Sequence, residues 1–113
     1  MKDLFYLTRA QIIKAMAHPS RLKMVTALAD KELCVRELKA IVKADMSTVS
    51  KHLAIMKNAG IVQDRKKGLQ VYYRLTCPCT ATFLACIESF VKNQRSRFSK
   101  TSSLSRKLKP AKD

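Results

Sequence analysis

Between Asp45 and Gly60 the chain repeats apolar residues at Val49, Leu53 and Met56, an i, i+4, i+7 pattern that a helix brings to one side. Asp45 is a suitable N-cap, since its carboxylate can accept from the free amides of a first turn, and Gly60 suits the left-handed residue after a helix end. That register leaves Ser47, Thr48, Ser50, Lys51, His52 and Lys57 largely outside. Strand character follows at once in Ile61-Val62 and Val71-Tyr-Tyr-Arg-Leu75, with Lys67-Gly68 marking the turn between them. A helix showing hydroxyls, a His and a Lys beside a basic hairpin suits a surface that reads one groove of DNA and grips phosphate nearby.

The flanking segments read as helices. Leu4, Leu7, Ile12, Ile13 and Met16 fall at near-helical spacing over 5–17, before the break at His18-Pro19. Pro19 fits the first turn of a second helix, where its missing N–H would have no partner anyway. That helix carries Leu22, Val25, Leu28 and Ala29 on one face, and a third opens near Cys34 with Val35, Leu38, Ile41 and Val42 inward. A last helix over 80–94 holds Phe83, Leu84, Ile87, Phe90 and Val91. The first and last helices are too apolar for a small domain to cover, so a homodimer through them is the economical solution. No internal repeat is visible.

Charge narrows the partner. The 113 residues carry 23 Lys+Arg against 8 Asp+Glu, a net +15, which implies a polyanion, nucleic acid ahead of a membrane surface. Residues 1–94 alone hold 16 basic against 7 acidic side chains, so the excess is not confined to the end. The division expected is one domain over 1–95 and a basic Ser/Lys-rich tail over 96–113, read as disordered and as adding nonspecific DNA affinity. No apolar run reaches the roughly 18 residues that span a bilayer, and the start lacks the features of a signal peptide. A cytoplasmic setting with reduced thiols follows. An enzyme is excluded on chemistry: there is no GxSxG, HExxH or phosphate-binding glycine loop, and the chain has 2 Gly.

Five segments in order carry a family likeness: Ala17-His-Pro-Ser-Arg-Leu22, Glu32-Leu-Cys-Val-Arg-Glu-Leu38, Ser47-Thr-Val-Ser-Lys-His-Leu53, Asn58-Ala-Gly-Ile-Val62 and Val71-Tyr-Tyr-Arg-Leu75. Together they cover most of residues 5–95, and the pattern resembles the winged helix-turn-helix of the ArsR/SmtB metalloregulators. The likeness implies a mainly α fold with a small β-hairpin wing. It also implies a homodimeric repressor that occupies a pseudo-palindromic operator in double-stranded DNA and leaves it on a metal, metalloid or redox signal. DNA contacts are then expected from Ser47, Thr48, Ser50, Lys51, His52 and Lys57 on the reading helix. Arg65, Lys66, Lys67 and Gln70 are expected from the wing. His52 has the alternative of packing against a neighbouring helix. Two departures stand out: His18 occupies a place usually acidic, and Arg36 stands where arsenic-responsive members with a third-helix site have a second Cys, so only Cys34 matches.

Cys77, Cys79 and Cys86, with no imidazole nearby, favour a soft, thiophilic ion. The resemblance makes trivalent arsenic or antimony, As(III) or Sb(III), the leading inducer, with Cys34 in reserve. Geometry sets a condition. In one continuous helix, residues 79 and 86 lie about 10 Å apart along the axis, whereas sulfurs sharing one ion at ~2.3 Å bonds sit about 4 Å apart. Cys86 joins the pair only if 77–80 curl back or if it comes from a partner subunit. Other readings stay open: Cys86 as a buried inert thiol, Cys34 as a reactive thiolate or a small buried cap, and a redox or persulfide switch needing just two cysteines. A constitutive basic DNA-binding protein with structural cysteines is the remaining alternative.

Overall fold

Pro19 cannot continue the helix before it and is well placed to begin another. In the computed structural model, which describes residues 2–98, α1 spans Lys2–Met16 and α2 spans Pro19–Leu28. Between them His18 is extended, and its Nδ1 accepts from the Ser20 N–H at 3.0 Å, so an imidazole serves as N-cap. A short strand β1 (Leu33–Cys34) leads into α3 (Val35–Val42), then α4 (Met46–Asn58), β2 (Val62–Lys67), β3 (Gln70–Leu75) and α5 (Cys79–Phe98). The mainly α fold with a hairpin wing is as expected. The tail expectation for 99–113 lies outside the described residues, and α5 itself runs past residue 95 to Phe98.

The three strands form one antiparallel sheet in the order β1-β3-β2. β1 is an addition the sequence did not suggest, because two residues carry no periodicity. It lays Leu33 opposite Tyr73 and Cys34 opposite Tyr72, so the hairpin is held along both edges of β3. β2 is longer than its two apolar residues implied. It runs through Asp64, Arg65 and Lys66 to Lys67, whose partner is Gln70.

The chain divides into two units, the first through Ala81 and the second from Thr82. The core of the first is built by Met24, Val25, Leu38, Val49, Leu53, Met56 and Val62, all essentially sealed from water. Each such side chain contributes about 1.5–3 kcal/mol relative to leaving it exposed. Three positions expected to face inward are exposed instead. Met24 takes the inward place on α2, leaving Leu22 and Ala29 exposed, and on α3 Ile41 is exposed while Leu38 and Val42 are buried. On α1 only Ala15 and Met16 are buried, while Leu4, Phe5, Leu7, Ile12 and Ile13 face water. In the second unit, α5 likewise exposes Phe83, Ile87, Phe90 and Val91 at i, i+4, i+7, i+8 spacing. Among the described residues no helix is long and apolar enough to cross a membrane.

A candidate nucleic-acid interface and a cysteine pair

Helix α4 is fixed at both ends. Asp45 Oδ1 accepts from the Thr48 N–H at 2.7 Å, and this bond holds the Asp45 carboxyl below the usual carboxylate range. Its negative charge sits at the positive end of the helix dipole. At the other end Gly60 has φ +84, donating its N–H to the Lys57 carbonyl while the Ile61 N–H reaches the Met56 carbonyl, both at 2.9 Å. That double bond pattern is a Schellman closure, and the buried side chains of Met56 and Ile61 provide its apolar contact. With Val49, Leu53 and Met56 buried, Ser47, Thr48, Ser50, Lys51 and Lys57 are all exposed. The hydroxyls and the Lys are therefore presented on the outer face.

His52 is the exception. Expected on the reading face, it is only 8% exposed. Arg21 Nη1 lies 3.0 Å from its Nδ1, and the ring of His18 packs 4.4 Å away centroid to centroid. The reason is angular. Position 52 stands beside Leu53 and three after Val49, close enough to the buried stripe for α2 to cover it. Burial, then His18 and Arg21, push the imidazole pKa down. A neutral ring whose Nδ1 accepts from the guanidinium is the state consistent with that bond. Arg21 Nε is buried and finds no hydrogen-bond partner among the described residues. His52 thus ties α4 to α2, and Arg21, not anticipated as its partner, sits in the His-Pro-Ser-Arg segment.

The wing is held from both sides. Successive residues of a strand point oppositely, so Asp64 turns to α4, pairing with Lys57 Nζ at 3.0 Å, while Arg65 turns to Glu32. The Arg65 contact is a two-pronged fork, Nε to Oε2 and Nη2 to Oε1, both 2.7 Å. These bonds keep the Glu32 carboxyl low and raise Lys57 and Arg65. Glu32 lies 33 residues from its partner, so no local pattern could have nominated it. Arg65, Lys66 and Lys67 are exposed and Gln70 half-buried, with Lys67 Nζ 6.0 Å from the Tyr72 ring centre.

Cys77 and Cys79 are joined as a disulfide, their Cα atoms 5.2 Å apart. Cys86 is exposed on α5 and Cys34 is buried at the start of α3, where its N–H donates to Glu37 Oε1 at 3.0 Å. Among the described residues no group of three or more His, Cys, Asp or Glu side chains is gathered to hold a metal. As donors for a trivalent metalloid, Cys77 and Cys79 fit in chemistry and closeness once reduced. Cys86 follows Cys79 by seven residues of continuous α5.

The family described as "Bacterial regulatory protein, arsR family" matches residues 18–64, which run from the N-cap of α2 into the wing. Over 66 residues the chain is 44% identical to a protein named "Transcriptional repressor SmtB homolog" of Synechocystis, covering 58% of this chain and 50% of that one. It is 41% identical over 70 residues to the "Arsenic resistance transcriptional regulator ArsR1" of Pseudomonas putida, covering 61% and 55%. The chain thus spans about half the length of these curated relatives. A homodimeric winged helix-turn-helix DNA-binding domain from Mycobacterium bovis, described as a possible ArsR-family regulator, superposes with TM-score 0.76 at 25% identity, covering 85% and 89%. The reading helix, the wing and these likenesses agree: the chain belongs to the arsR family of bacterial regulatory proteins, which are DNA-binding transcriptional regulators and not enzymes.

Proposed function

We propose that this protein is a transcriptional repressor that binds a pseudo-palindromic operator as a homodimer and lets go when its cysteine thiolates capture a thiophilic metalloid. One observation carries the DNA part: α4 exposes Ser47, Thr48, Ser50 and Lys51 beside a wing exposing Lys66 and Lys67. Hydroxyls can read base edges while the Lys side chains meet phosphate. Dimerisation is supported by the apolar side chains left exposed on α1 and, separately, on α5, and by the homodimeric Mycobacterium bovis domain. Two copies of α4 related by a two-fold axis call for half-sites separated by whole helical turns.

For the signal, Cys77 and Cys79 are the leading ligands of As(III) or Sb(III), with Cys86 the third candidate and Cys34 in reserve. The support is the sulfur-only donor chemistry, the closeness of the Cys77–Cys79 pair and the arsenic-resistance relative. A bound metalloid would supply a strong bridge between thiolates, and only reduced thiols can take it. Continuous helix from Cys79 favours a Cys86 drawn from the partner subunit. A hundred-fold fall in operator affinity requires about 2.7 kcal/mol of coupling. The disulfide favours a second reading, in which an oxidant or persulfide acts on the same pair. Gel shifts on footprinted operator DNA, with arsenite under reducing conditions or with a mild oxidant alone, separate the two. Cys77→Ser and Cys79→Ser should abolish release by the true signal. If Cys34→Ser, Cys77→Ser, Cys79→Ser and Cys86→Ser all release DNA like wild type, thiol sensing fails while DNA binding stands. Protection without a defined palindrome would instead mark a constitutive basic DNA binder.

A further inference from the structure

We infer that Leu69 is a minor-groove probe: the wing tip inserts this apolar side chain between base edges beside the groove occupied by α4. The inference rests on the DNA-binding reading above and adds to it a second point of sequence discrimination. Leu69 is 97% exposed, more than any other large hydrophobic side chain among the described residues. It gains nothing for the fold there. Lys67 pairs with Gln70, so the turn is the two residues Gly68-Leu69, and Gly68 at φ +65 takes the left-handed first position. That arrangement matches a II′ turn, whose twist suits the hairpin, and it sets Leu69 at the extreme tip.

The finger behind it is stiff. β3 is paired on both edges, Arg65 is forked onto Glu32, and Asp64 is tied to Lys57 near the end of α4. The three strand steps from Asp64 to Lys67 reach about 10 Å at ~3.3 Å each, and the Gly68-Leu69 turn lies beyond them. A major groove is about 12 Å wide, so a finger of that length rooted at the end of a helix lying in it brings its turn to the bordering phosphates. Lys66 and Lys67 precede the tip and suit those phosphates, while a groove about 6 Å wide beyond them admits a side chain but not a helix. Apolar side chains entering there unstack a base step and bend the duplex, most readily at flexible pyrimidine–purine steps.

The test uses the full chain and a duplex of about 30 base pairs, room for two half-sites, selected from a randomised pool on the wild-type protein. Affinity, its salt slope, and the bend read by end-to-end fluorescence transfer are compared for wild type, Leu69→Ala, Leu69→Met and Lys67→Ala. Leu69→Ala should bind about tenfold more weakly, equal to about 1.4 kcal/mol, and bend the duplex less. Its salt slope should be unchanged, because no charge is lost, and Leu69→Met should restore most of both. Lys67→Ala should instead lower the slope by about two, about one for each protomer of the dimer. An unchanged thermal midpoint for Leu69→Ala shows that the fold is intact. The inference is overturned if Leu69→Ala stays within twofold of wild type in affinity with the same bend. In that case tight wild-type binding and the Lys67→Ala slope leave the DNA reading standing, whereas wild-type protein that selects no duplex sinks both.

Discussion

Replacing Gly60 by Ala tests the joint that sets the wing against the reading helix. Gly60 holds φ +84, and a Cβ built there meets nothing within 4 Å. Crowding is therefore absent and the whole cost is conformational. A left-handed L-residue costs roughly 1–2 kcal/mol, offset by about 0.4–1 kcal/mol because Ala also restricts the unfolded chain. The net loss is about 1 kcal/mol. For a domain of this size that lowers the thermal midpoint by about 4–8 °C, and with a urea m-value of ~1–3 kcal/mol/M it moves the midpoint by about 0.3–1 M. Urea titration followed by circular dichroism reads it directly. Gly60→Asn should lose less, since Asn tolerates this conformation. Below the transition both variants should bind DNA as wild type does, because the joint is strained but not rearranged. A Gly60→Ala protein as stable as its parent, or an Asn variant worse than the Ala one, would refute the reasoning.

Three further outcomes are expected. The unfolded chain protonates His52 near the ordinary value of ~6.5, whereas the native imidazole, buried and facing His18 and Arg21, resists. The native state then binds fewer protons, so stability is flat above about pH 6.5 and falls as the pH drops through it. Thermal midpoints from pH 7.5 to 5.5 should decline, and His52→Gln should flatten the decline; a midpoint indifferent to pH removes this role. A dimer neutralising ~6–10 phosphates should lose ~10³–10⁵ in affinity between 50 and 200 mM salt, with Lys51→Ala or Lys66→Ala each shallowing the slope. A slope near zero would sink the phosphate contacts. Glu32→Gln leaves one acceptor where the fork needs two, so Arg65 loses its fixed orientation and weaker DNA binding is expected despite the lost negative charge; equal or tighter binding would sink the aiming role.

Much of this arrangement was legible in the sequence because it is local. Asp45 and Gly60 bound α4 through bonds spanning three to five residues, and Val49, Leu53 and Met56 declare its inner face by spacing alone. His52 shows where that logic ends. Periodicity gives the centre of a buried stripe, but the width of the stripe depends on which neighbour lies alongside, and here α2 brings Arg21 and His18 to cover it. β1 escaped for a related reason: its two residues become a strand only because β3 lies beside them.

The cations of the wing were readable as charge but not as geometry. Lys57 and Arg65 count toward the net +15, yet both are engaged by carboxylates. Neutralisation is the wrong conclusion. A guanidinium has five N–H donors in a fixed plane, and the fork onto Glu32 occupies Nε and one hydrogen of Nη2. Nη1 and the second Nη2 hydrogen remain for a phosphate oxygen. Glu32 therefore holds the fork in one orientation while its outer donors stay available, and the same pair that lowers the local charge fixes where the remaining charge points. A lysine at position 65 could not do both, because its single ammonium lacks a planar fork.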